Sequence, residues 1–212
     1  MLDPTRDSRS IVESYGEALR YFMGQGNLNR ALAHVAADLE EHSIDYIVVG
    51  ALALLAHGYP RLTEDIDLIF TNEGLDRFHE ELIGLGYAPA FPGARKRLRS
   101  TKDGVRIDVI AAGEYPGDGQ PKPVSFPNPS EASVEIDGIR FATLEKLIEL
   151  KLASGMTAPH RLKDLADVQE MIKVKHLSRE FAEHLNEYVR AKYLELLDAV
   201  ERGARIEFEE QS

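Results

Sequence analysis

Apolar residues recur along this chain with two periods, and the switches between them mark its elements. Over NLNRALAHVAADLEEH, Leu28, Leu32, Val35 and Leu39 fall at helical spacing, with Asn27 placed to cap the first turn. An earlier helical stretch from residue 9 is set apart by a break near Gly24 to Asn27. SIDYIVVG reads as a short strand ending at Gly50, and ALALLAHG as a brief apolar helix closed by Gly58. TEDIDLIF then alternates at period two, so Ile66, Leu68 and Phe70 face a core while Asp65 and Asp67 share the other face.

NEGLDRFHEELIGLGY returns to the helical period, with Leu75, Phe78, Leu82 and Leu85 on one side and Gly86 at its end. Two strands, around 96–100 and 105–110, flank the hairpin turn Asp103-Gly104. Residues 113–130, GEYPGDGQPKPVSFPNPS, hold half of the chain's ten prolines and predict a long loop. SVEIDGIRFAT resumes as a hairpin about Asp137-Gly138. From Thr143 onward the pattern is helical, over roughly 143–154, 161–173 and 178–202, before an acidic tail, EFEEQS, that is expected to fray. No internal repeat is present. The predicted architecture is α/β (α+β): N-terminal helices over 1–42, a mixed-sheet core over 43–141, and a helical region over 142–212 that completes a cleft.

Composition narrows the setting. The chain of 212 residues is 43% hydrophobic and 29% charged, ordinary for a water-soluble globular protein of one large domain or two small ones. No run approaches the roughly 18 apolar residues of a membrane helix. MLDPTRDSRS lacks the regions of a signal peptide, and zero cysteines leave carboxylates and histidines as the available metal ligands. A cytoplasmic location is the expectation. The net charge of −11 repels nucleic acid at long range, so such a partner needs a local basic patch. Residues 94–106 offer one, with Arg95, Lys96, Arg97, Arg99, Lys102 and Arg106. A merely solvated hairpin is the competing reading.

The paired aspartates are the chemical signal. Asp65 and Asp67 on one strand face lie about 6–7 Å apart by strand rise, a separation that water or a cation must fill. Asp108 is a lone acid in the apolar strand VRIDVI; if that strand lies beside the first, three carboxylates converge into an oxygen cradle for one or two Mg²⁺ ions. Upstream, Gly50 at a strand-to-helix turn permits close approach of backbone to a phosphate. Together these suggest nucleotidyl transfer.

Gly50-Ala51, thirteen intervening residues, then Asp65-Ile66-Asp67-Leu68 resembles the signature of the nucleotidyltransferase fold superfamily. With LEKLIELKLASG and HRLKDLADVQEM, the stretch from about 44 to 172 is most similar to abortive-infection-type (type IV) toxin nucleotidyltransferases and their uncharacterised relatives. The resemblance implies Mg²⁺-dependent transfer of a nucleoside monophosphate from an NTP, with Asp65 and Asp67 as metal ligands and Asp108 as the third, base-like carboxylate. It also implies a cognate antitoxin as a possible partner. Ala51 stands where the family usually has Gly or Ser.

Lys151 supports the same site independently. On a helical wheel it falls amid Leu144, Leu147, Ile148, Leu150 and Leu152, where an apolar residue is called for, so it needs an anionic partner such as a nucleotide phosphate or a buried aspartate. In the next helix, Leu162, Leu165, Ala166, Val168 and Ile172 define the expected buried side, with Asp164 and Asp167 toward its edge. These acids could pair with Lys151 or Arg161, or contact the donor nucleotide; for Asp167 a solvated flank is the alternative. Arg61 could contact phosphate, pair with Asp67, or stand exposed. His57 suits C-terminal capping or core packing better than metal ligation. Three functions stay open: a toxin-like nucleotidyltransferase modifying RNA, a small-molecule enzyme of the antibiotic-resistance type, and a catalytically silent relative serving as a binding module.

Overall fold

The computed structural model describes residues 26–210. Its elements are α1 (Asn27–Glu41), β1 (Tyr46–Val49), α2 (Gly50–Ala56), β2 (Asp65–Phe70), α3 (Asn72–Glu81), β3 (Tyr87–Pro89), β4 (Arg97–Ser100), β5 (Arg106–Ala111), β6 (Ser133–Ile136), β7 (Ile139–Ala142), α4 (Leu144–Thr157), α5 (Leu162–Lys175) and α6 (Glu187–Glu210), with 3₁₀ turns at Pro159–Arg161 and Arg179–His184. The described strands form one mixed sheet in the order β3-β4-β5-β2-β1-β7-β6. β2 runs parallel to β5 and β1 parallel to β7, and the other neighbours are antiparallel. The fold class matches the α/β (α+β) expectation.

Alternation along β2 sets the two faces. Ile66, Leu68 and Phe70 are fully buried, and Phe70 packs on Phe78 of α3, which meets Tyr87 edge-on at 5.1 Å between ring centroids. The Tyr87 hydroxyl donates to Asp38 of α1 at 2.6 Å, so α1 and α3 close this face. The buried stripe of α1 is Leu28, Ala31, Leu32, Val35, Ala36 and Leu39. One apolar cluster runs from this helix through the sheet to Tyr193 and Leu197 of α6. No described helix is long and apolar enough to cross a membrane.

Several boundaries differ from the sequence reading. The helical stretch from residue 9 lies outside the described residues. Gly26, not Asn27, is the N-cap of α1, and the Asn27 side chain instead accepts from Arg30 one turn on. α3 stops at Glu81 because Gly84 and Gly86, both at positive φ, reverse the chain into β3. Leu85 therefore sits in the turn, 75% exposed, rather than on the buried side. β3 escaped the sequence reading because it is three residues long; its Pro89 is tolerated on an edge strand. The predicted helix over 178–202 is a 3₁₀ turn followed by α6. The break falls at Asn186, whose amide donates to the buried Glu149 carboxylate at 2.5 Å instead of to a helical carbonyl, while its side chain caps the Tyr188 amide. The start of the acidic tail is helical through Glu210.

The loop over 113–130 is free of helix and strand, as its prolines require, yet it is closely tied. The Gly113 amide donates to the Phe126 carbonyl and the Phe126 amide to the Glu114 carbonyl, both at 2.8 Å. The Lys122 ammonium donates to the Pro116 and Gln120 carbonyls and to Asp118.

Candidate active site

Strand register assembles the acids. In the parallel pair β2–β5, Asp65 lies beside Arg106 and Asp67 beside Asp108. Neighbouring Cα partners project to the same face, so Asp65, Asp67 and Asp108 meet on the face opposite Ile66, Leu68 and Phe70. The strands are adjacent, which sequence alone left conditional.

Asp67 is the electrostatic centre. Burial pushes its carboxyl up to about 7, and the negative charges of Asp65 and Asp108 push in the same direction; Lys151 and Arg161 oppose them. Asp65 is held differently: its carboxylate accepts from the Thr63 hydroxyl and from Arg106 at 3.5 Å. Gly50 (φ +66) opens α2 against this cluster. A Cβ added there would lie 2.0 Å from Asp67 Oδ2, so glycine is demanded by both backbone and space. Ala51 follows it with its side chain buried.

The oxygen donors are of the hard type that suits Mg²⁺, and the cluster carries negative charge that a cation would balance. Among the described residues, however, no three acidic or imidazole side chains close around a single point. Asp65 would have to turn from Arg106 to join Asp67 and Asp108 on an ion.

Behind the acids lies a buried ionic network. Lys151 is 6% exposed and donates to Asp164 at 3.1 Å and to Asp167 at 2.7 Å. Asp164 also accepts from Ser154 at 2.7 Å and from Arg161 at 2.8 Å. Burial raises the Asp164 carboxyl, yet Lys151, Ser154 and Arg161 outweigh it and hold it below the usual carboxylate range. Arg61, in the loop that leads into β2, pairs with Asp167 at 2.5 Å. The violation of patterning at Lys151 is thus met by two buried aspartates.

The expected buried side of α5 needs correction. Asp164 and Asp167 stand at its centre, 5% and 2% exposed, and a solvated flank is excluded for Asp167. Leu162 is 67% exposed, Ala166 is exposed and Leu165 is only half-buried. The side facing α4 follows the ion pairs, so hydropathy placed it wrongly. Ser154 escaped notice because a single serine in a helix carries no pattern. His57 is the C-cap of α2 and its Nε2 meets the Ala142 carbonyl at 2.8 Å, the structural role expected.

The 94–106 patch divides. Arg95 pairs with Asp76 and Lys96 with Glu114, whereas Arg97, Arg99 and Arg106 stand exposed on the face of the acids. A cavity of about 460 Å³ is lined by Asn72, Leu75, Asp76, Phe91, Arg95 and Arg97 among others; Asp65, Asp67 and Asp108 are not in its lining.

The family model of the nucleotidyl transferase AbiEii toxin, type IV TA system, matches residues 30–211. The chain belongs to this family. As an AbiEii-family member it is a nucleotidyltransferase, in agreement with the resemblance carried by Gly50, Asp65 and Asp67. Two solved structures of the antibiotic-resistance factor ANT(2'')-Ia share its fold at a TM-score of 0.50. One, in complex with adenylyl-2''-tobramycin, is 17% identical over 78% of this chain and 96% of that one. The other is 19% identical over 82% and 96%. JHP933 from Helicobacter pylori aligns over 97% of this chain and 100% of its own, at 16% identity and a TM-score of 0.42. No curated protein matches the chain.

Proposed function

We propose that this nucleotidyltransferase moves a nucleoside monophosphate from an NTP to an acceptor hydroxyl on RNA, with Mg²⁺, as a toxin neutralised by a cognate antitoxin. The observation that carries the catalytic part is the register that sets Asp65, Asp67 and Asp108 on one sheet face, with Gly50 pressed against Asp67. Asp65, Asp67 and Asp108 would hold one or two Mg²⁺ ions, which supply Lewis-acid polarisation of the phosphates when bound.

The chain's own residues do the rest. The backbone of Gly50 and Ala51, beside Asp67, receives the donor phosphates. Asp108 takes the proton of the acceptor hydroxyl as its oxygen bonds to the α-phosphorus. The bond from that phosphorus to the bridging oxygen breaks, and pyrophosphate leaves with its electron pair. Lys151 and Asp164 fix α4 and α5 behind the donor, and Arg61, through Asp167, fixes the loop that delivers Asp65. Asp164 and Arg61 remain our candidates to border the nucleotide, and Lys151 acts on the site through its charge.

The test is calorimetric titration of each NTP into wild type and Asp67→Asn, with and without Mg²⁺, followed by transfer of α-labelled nucleotide to total RNA. Mg²⁺-dependent binding lost in the variant, with label in RNA, is the expected result. Absence of NTP binding by wild type would leave a silent relative, and label on an amino-sugar but not RNA would favour the small-molecule enzyme.

A further inference from the structure

The face that carries the acids continues, strand by strand, into arginines. Across β4–β5, Arg97 is the Cα partner of Asp108 and Arg99 of Arg106, and the alternation of β4 buries Leu98 and Ser100 while exposing both arginines. One rung of the sheet therefore reads Arg99, Arg106, Asp65, and the next reads Arg97, Asp108, Asp67. Two strand spacings put the β4 arginines about 10 Å from the β2 acids.

Arg99 and Arg106 are like charges directly opposite each other, an arrangement that costs stability unless an anion lies between them. Neither Arg97 nor Arg99 has an ion pair among the described residues, although the chain holds 36 acidic residues against 25 basic ones. The adjoining Arg95 and Lys96 are neutralised by Asp76 and Glu114. Among the described residues, the Arg106 side chain has one ion pair, a long one to Asp65 at 3.5 Å.

We infer that Arg97, Arg99 and Arg106 form a phosphate track that holds a single-stranded RNA acceptor and presents its terminal hydroxyl to Asp108. The inference rests on the nucleotidyl-transfer reading and assigns the residues that choose the acceptor. In a chain of net charge −11, two guanidiniums without an ion pair among the described residues, Arg97 and Arg99, flanking Arg106 beside the reacting groups, select for a polyanion and against a cationic amino-sugar.

The test uses the full chain and a fluorescently labelled, short single-stranded RNA, with binding followed by anisotropy across a range of KCl. Arg97→Ala/Arg99→Ala is expected to weaken RNA binding roughly tenfold and to reduce the slope of log K against log[salt] by about 1 to 1.5, near 0.7 per lost phosphate contact. Its NTP affinity stays that of wild type, and Arg95→Ala, the neutralised neighbour, keeps RNA affinity and slope. Arg97→Lys/Arg99→Lys restores most of the slope. An unchanged affinity and slope in the double alanine variant, with NTP binding intact, overturns the track. Failure of wild type to bind any NTP overturns the reading beneath it instead.

Discussion

At Asp67 the proton, the fold and the chemistry compete for one carboxylate. Its ordinary value is 3.8 and its folded value is pushed up to about 7, so between those limits the folded chain binds more protons than the unfolded one. Metal-free stability therefore falls as pH rises from about 4 to about 7. Asp67→Asn removes this loss. Differential scanning calorimetry at pH 8 is expected to show the variant more stable by ~2 kcal/mol, a shift of several degrees, with the two chains equal near pH 4. A variant less stable than wild type at pH 8 would contradict an uncompensated negative cluster. Gly50→Ala tests the same contact from the other side. Positive φ and a Cβ 2.0 Å from Asp67 Oδ2 predict a cost of about 1–3 kcal/mol in chemical denaturation and loss of Mg²⁺-dependent NTP binding.

At the scale of elements, α4 and α5 are joined by ions as well as by apolar packing. Truncating Lys151 leaves Asp164 and Asp167 buried without their cation, so Lys151→Ala should lower stability by about 3–5 kcal/mol in urea unfolding. Arg161→Ala, whose side chain is half exposed, should cost no more than about 1 kcal/mol and leave folding cooperative. The Asp164 carboxyl lies below its unfolded value of 3.8, so its contribution is present above about pH 4 and fades as pH falls further. Helix α5 shows how far periodicity reaches: its existence and extent were legible, but its facing was not. Leu162 is exposed and Asp167 buried because the partner across the interface is Lys151, a residue of another helix. The short 3₁₀ turn before α6 has a similar origin in the distant Glu149.

For the whole molecule, the balance of charge and cation binding gives the clearest test. If Asp65, Asp67 and Asp108 share Mg²⁺, the ion stabilises the folded chain and protons compete with it. Saturating Mg²⁺ is expected to raise the melting temperature by several degrees at pH 8 and by much less at pH 5.5, where Asp67 is protonated. An equal shift at both pH values would place the ion elsewhere, and Asp67→Asn should abolish the effect.

Local pattern by itself determined most of the elements, the outward face of Asp65 and Asp67, the Pro-rich loop and the anomaly at Lys151, because each depends on neighbours within a turn or two of chain. Tertiary structure alone decided the rest. It set β5 beside β2 in the register that brings Asp108 to Asp67, turned Asp164 and Asp167 inward to Lys151, and joined Arg61 to Asp167 across 106 positions of sequence. It also divided the basic patch, pairing Arg95 and Lys96 and leaving Arg97 and Arg99 beside the acids. Pairings between distant segments are set by strand order and helix packing, and no period within a short window encodes them.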